Sequence, residues 1–231
     1  MPAWKGIVGQ GFSAQEFSSY LTTLTLTTWR PQFAVLHNTF VPTLAQWHDV
    51  SGQTRMQGLE SYYRDTMHWS AGPHLFVADD LIWVFTPLNT SGIHSPSWNA
   101  ISWGVEMVGS YSVEPFGPAV RGNAVSALAG LHQFASLDPN TLRFHKEDPN
   151  TTHKDCPGTN VVKPDMIQAV IDQMAANNPG EHSPDAGTAA TVSTSAAGAT
   201  AATGSTPATG TSAPVPTPPN GGAAGAAGGS G

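Results

Sequence analysis

Cysteine is nearly absent: Cys156 is the single one in 231 residues, which excludes an intramolecular disulfide framework. Charge is scarce too. Asp, Glu, Lys and Arg make up 11% of the chain, and no Lys or Arg follows Lys163. The formal net charge of −7 argues against sequence-independent nucleic-acid binding. No apolar run reaches the roughly 18 residues a membrane span needs, so no membrane insertion is expected. The N-terminus, Met-Pro-Ala-Trp-Lys-Gly-Ile-Val-Gly-Gln, lacks the apolar core of a secretory signal. The chain is therefore expected to be made in the cytoplasm with no export route of its own. From about Glu181 large apolar residues give way to Ala, Gly, Thr, Ser and Pro. Such a segment buries too little apolar surface to offset its ordering entropy, which predicts a disordered tail over 178–231 and a folded domain over 1–177.

Within the domain, hydrophobic periodicity alternates between helix and strand. Ser13-Ala-Gln-Glu16 is a capping box, and Phe17, Tyr20, Leu21 and Leu24 follow at helical spacing, predicting a helix over 14–25. Phe33 to His37 is a short apolar run of strand type. Gly52 to Thr54 reads as a loop, and Leu59, Tyr62, Tyr63 and Met67 fit one face of a helix over 55–66. Two alternating runs, 74–78 and 81–86, flank Asp79-Asp80 and predict a β-hairpin. Ser102 to Gly109 reads as a strand, 119–136 as an Ala-rich helix ended by Pro139, 141–145 as a short strand and 164–174 as a last helix. This order predicts an α/β fold, a mixed central sheet flanked by helices.

Chemistry concentrates in one stretch. His145 to Gly158 packs two histidines, the cysteine, two lysines and three acids into fourteen residues. A lone cysteine near histidines is a metal ligand or a nucleophile before it is half a disulfide. His145 with Cys156 makes a partial zinc shell, which needs a third protein ligand and an open position for catalysis. His153, three residues from Cys156, is the rival ligand. His37 is the candidate third ligand, because it ends a strand, a rigid platform for a metal site; a lone histidine there is more often a hydrogen-bonded core residue. His48, His68 and His132 read as structural or surface residues. Glu106 is an acid among apolar strand neighbours, where an unpaired carboxylate is costly. It is either an ion-pair partner or a general base tuned by partial burial. Lys154 lies two residues before Cys156, within reach of the same centre unless it is a solvated loop lysine.

His37 after an apolar strand, Ser102-Trp-Gly-Val-Glu-Met-Val-Gly109 and His145…Lys154-Asp-Cys156-Pro-Gly resemble the zinc-dependent N-acetylmuramoyl-L-alanine amidases of type 2. That family includes phage endolysins and is related to peptidoglycan recognition proteins. The resemblance spans roughly 30–165, and Gly72-Pro-His-Leu-Phe-Val is similar to the family's Gly-Tyr-His-Phe segment. It implies a type 2 amidase fold and zinc ligands His37, His145 and Cys156, with one Zn2+ per chain. It also implies Glu106 as base and Lys154 as the group that stabilises the oxyanion. His145 is preferred over His153 because the family histidine follows directly from a strand. Where family members lacking the glutamate carry a hairpin tyrosine, this chain has Pro73, which shifts the role onto Glu106. His74, His94, Trp98 and Asn99 are expected contacts to glycan or stem peptide. The implied substrate is bacterial peptidoglycan, cut by a monomer at the amide joining N-acetylmuramic acid to L-alanine. The implied setting is a phage or prophage endolysin released through a holin. A cytoplasmic muropeptide-recycling amidase shares this site. A noncatalytic peptidoglycan-binding module is the reading from another class, although such relatives typically lose the cysteine. A zinc peptidase on another scaffold is disfavoured by the absence of His-Glu-x-x-His.

Overall fold

Apolar strand runs and amphipathic helices assemble around one sheet in the computed structural model, which describes residues 3–178. Apart from Asn178, the expected tail over 178–231 lies outside these residues. The strands are β1 (Gln10–Phe12), β2 (Phe33–Asn38), β3 (Leu75–Val77), β4 (Ile82–Val84), β5 (Ser102–Met107) and β6 (Arg143–Phe144). They form a mixed six-stranded sheet in the order β1-β4-β3-β5-β2-β6. β5 runs parallel to β2 and β3, β6 runs parallel to β2, and β4 is antiparallel to β1 and β3. The helices are α1 (Ala14–Thr22), α2 (Leu44–Trp47), α3 (Gly52–Ser61), α4 (Pro118–Ala135) and α5 (Lys163–Asn177). The expected α/β class and mixed sheet are present.

Strand alternation sorts the sheet into two faces. Ala34, Leu36, Leu75, Val77, Trp103, Val105 and Met107 fall on one face and join the large core under α1, α4 and α5. Phe76, Trp83, Phe85 and Val108 belong to a second cluster, closed by Trp47 of α2 and Met56 of α3. Each large side chain buried this way stabilises the fold by about 1.5–3 kcal/mol. His37 and Glu106 also fall on this second face, at the β2 and β5 positions paired across the ladder.

Several element boundaries differ from the sequence reading. The Ser13–Glu16 capping box forms as expected, but α1 stops at Thr22. Gly52 to Thr54 is helix, not loop, because the Ser51 hydroxyl accepts from the Thr54 N–H and starts α3 there. Beyond Ser61 the chain widens into a π-helical turn, Tyr62–Thr66; of the expected face, Leu59 and Tyr63 pack against the second cluster while Tyr62 is exposed. The strand expected over 141–145 shrinks to two residues between two 3-10 turns. β1 and α2 form where the sequence reading has no element. Among the described residues no helix is long and apolar enough to cross a membrane.

Candidate metal and catalytic site

The parallel register builds the site. β2 pairs with β5 so that His37 lies opposite Glu106, and Leu36 pairs with Phe144, which places His145 at the end of the next strand. Three neighbouring strand ends thus deliver two imidazoles and a carboxylate to one place. The carboxyl ends of parallel strands are the usual location of ligand sites in open α/β sheets. Cys156 arrives from the following loop, held where the Lys146 N–H donates to its carbonyl at 3.0 Å. The Asn38 N–H points at the sulfur. Gly158 follows with φ +113°, and a Cβ there would lie 2.5 Å from the Tyr111 backbone, so the turn after Cys156 requires glycine.

His37, His145 and Cys156 each offer a ligand atom, and these atoms all lie within 4.8 Å of one another. His37 and His145 are buried, and Cys156 is partly exposed. His153 is not in this group; it is exposed, its ring stacked on His145 at 5.4 Å between centroids. Glu106 Oε1 approaches His37 Nδ1 at 3.7 Å, and its other oxygen is buried without a partner. That separation is too long for a hydrogen bond, and with both groups held neutral the contact is no ion pair. Lys154 is exposed, yet near enough for its charge to help depress the His145 pKa.

Electrostatically the site prefers every group uncharged. Burial, then the neighbouring histidines, holds the His37 pKa well below its ordinary value. Burial brings His145 to about 4 and lifts the Glu106 carboxyl to about 8. Burial and the Glu106 charge push the Cys156 thiol up. Two imidazoles, one thiol and a carboxylate oxygen without a partner, all short of positive charge, suit a divalent cation that would stabilise thiolate and carboxylate together. The donor set is that of zinc.

The other expected site residues occupy different places. His74 is fully buried, with Nε2 donating to the Thr90 carbonyl at 3.0 Å and Nδ1 accepting the Gly104 N–H at 2.9 Å, so neither nitrogen is left for a substrate. His94 is buried and hydrogen-bonded to His37 at 3.1 Å, not turned outward. The Asn99 side-chain carbonyl accepts the His94 and Ser95 N–H groups at 2.7 and 2.8 Å, which ties the loop to itself. Trp98 is half-buried, edge-on to Phe33. His48 is exposed and bonded to Asp79, and His132 is buried with Nδ1 bonded to the Leu128 carbonyl.

Sequence reasoning missed three supports. The Thr151 hydroxyl lies 2.9 Å from His145 Nε2. Buried Asp148 accepts from the Ser95 and Ser97 hydroxyls and the Ser97 and Asn150 N–H groups, joining the His94 loop to the His145 loop. Burial pushes its pKa up, but these hydrogen bonds win and hold it below the ordinary value. Tyr63 sits in the π-helical turn against Gly72, next to Pro73, and burial followed by the Glu106 charge raises its pKa well above the usual range.

A family model described as N-acetylmuramoyl-L-alanine amidase, Amidase_2, matches residues 27–159, more than half of the chain. The chain belongs to the type 2 amidase family. The amidase LysC from Clostridium intestinale has a similar fold, at TM-score 0.51 and 23% identity over 62% of this chain and 87% of LysC. Drosophila PGRP-LB gives TM-score 0.50 at 16% identity over 80% and 93% of the two chains. A PGRP-LB variant solved in complex with tracheal cytotoxin gives 0.51 at 17% identity, over 69% and 84%. Among curated protein sequences no significant relative is found.

Buried neutral histidines make the metal-free amidase domain acid-sensitive. His74 and His145 lie near 4 and His94 near 3, with burial the largest cause in each. Their folded pKa values sit below the ordinary 6.5, so the stability they contribute is complete above that pH. It is lost as pH falls toward 4. At neutral pH this amounts to about 3 kcal/mol each for His74 and His145 and about 5 kcal/mol for His94, a large share of ordinary domain stability. Glu106 acts in the opposite sense but is one group against several. The melting temperature of chelator-treated protein should drop steeply as pH falls from 6.5 to 4; a flat profile over that range would show that the histidines do not stay neutral.

Proposed function

We propose that this chain is a zinc-dependent N-acetylmuramoyl-L-alanine amidase that hydrolyses the amide between N-acetylmuramic acid and L-alanine in peptidoglycan. The observation that carries the reading is the cluster of His37, His145 and Cys156 within 4.8 Å, with Glu106 3.7 Å from His37. His37, His145 and Cys156 would hold one zinc ion. A zinc ion bound there supplies Lewis acidity for the amide carbonyl and acidity for water. Glu106 takes a proton from the attacking water and passes it to the leaving amine of L-alanine. Lys154 places its ammonium beside the developing oxyanion. The setting is that of a phage or prophage endolysin acting on the cell wall.

Removal and return of metal test this reading. Native protein incubated with purified sacculi should release soluble fragments, chelator-treated protein should release almost none, and one equivalent of zinc should restore release. Equal release by the stripped protein would remove the metal from the reaction. Tight binding to sacculi without release, with zinc present, would favour the recognition module.

A further inference from the structure

We infer that His94 is a positioning residue for the metal centre: it fixes the tautomer of His37 so that His37 Nδ1 presents its lone pair to the ion. The inference rests on the zinc reading above. The Ser102 carbonyl, 3.2 Å from His94 Nε2, can only accept, and the Ser102 hydroxyl 3.5 Å away donates to the Trp98 carbonyl instead, so that nitrogen carries the proton. In a neutral His94 the Nδ1 atom is then an acceptor. It lies 3.1 Å from His37 Nε2, which must therefore be the donor. A neutral His37 protonated on Nε2 has its lone pair on Nδ1, and Nδ1 is the atom facing Glu106. One backbone carbonyl thus sets two tautomers in series. Ligand histidines usually donate their second nitrogen to a carboxylate or carbonyl; here the acceptor is another imidazole.

The surroundings are built to hold His94 in this pose. Gly104 of β5 has no side chain where the His94 ring lies, and a Cβ there would overlap that ring. The His94 N–H is bonded to Asn99, and Ser95 next to it is bonded to Asp148 on the loop that carries His145. The alternative is that His94 only fills space, in which case a phenylalanine would serve as well.

Three proteins and two measurements test the inference. Long-range 1H–15N correlation of the histidine rings in metal-free wild-type protein should show His37 protonated on Nε2; His37 protonated on Nδ1 overturns the inference. Zinc affinity measured against a competing chelator should fall about 10- to 100-fold in His94→Phe, which strands a buried N–H. His94→Asn keeps an oxygen near the Nδ1 position and should recover most of that loss. A folded His94→Phe that binds zinc as tightly as wild type overturns the inference alone. Wild-type protein that takes up no zinc overturns the functional reading and this inference with it. If His94→Phe does not fold, the wild-type tautomer and the His94→Asn affinity decide.

Discussion

Glu106→Gln should lower turnover by roughly a hundred- to ten-thousand-fold while leaving fold, zinc content and sacculus binding unchanged. The carboxylate contributes nothing visible to the architecture: one oxygen stands 3.7 Å from His37, the other has no partner, and 14% of the side chain is exposed. Burial holds its pKa near 8 without metal, and a cation beside it favours the ionised, basic form. The acid limb of the pH–rate profile should flatten in the variant. A stability comparison follows from the same shift. The folded pKa is raised above the ordinary 4.5, so the contribution of Glu106 is complete below that value and is lost as pH rises through 8. Metal-free wild type should therefore weaken relative to metal-free Glu106→Gln between about pH 4.5 and 8. Thermal melts of the two proteins across that range check it. Turnover within a few-fold of wild type would make Glu106 a structural residue and leave Lys154 and the metal to suffice.

Loss of the metal should be as severe and should separate the two candidate histidines. His145→Ala removes an atom of the 4.8 Å group, whereas His153→Ala removes an exposed ring stacked on it. His145→Ala and Cys156→Ser should both lower zinc content and activity together, with zinc affinity falling by orders of magnitude because a two-ligand shell remains. His153→Ala should keep about one zinc per chain. Metal analysis of the three purified proteins decides it, and retained zinc in His145→Ala with lost zinc in His153→Ala would reverse the assignment.

The sequence carried local signals well and distant ones poorly. The α1 capping box and the apolar run of β2 depend on neighbours in the chain, and they were readable. The Cys156-Pro-Gly turn was legible as a motif, although the need for Gly158 becomes clear only when Tyr111 packs against it. β1 was missed because three residues carry no periodicity. α2 was missed although Thr43-Leu-Ala-Gln46 is a capping box, a signal available in the sequence. The buried, hydrogen-bonded places of His74 and His94 were illegible for a different reason. Their partners, Gly104 at a separation of 30 residues and His37 at 57, are set by the sheet order and not by any local pattern. Asp148 reads as one acid in a charged loop until Ser95 and Ser97 arrive from 53 and 51 residues away. Tyr63 packs on the same cluster as Leu59, as the helical spacing implies, but its place beside Gly72 is set by the π-helical turn, which no local pattern announces.

The bond that is cut is the most direct test of the account. Purified sacculi digested by the zinc-loaded protein should be analysed by mass spectrometry of both soluble and residual material. The account predicts stem peptides with free L-alanine amino termini, and glycan strands that remain intact and stripped of peptide. Shortened glycan strands, cleavage within the stem peptide, or sacculi left unchanged by a zinc-loaded, folded protein would contradict it.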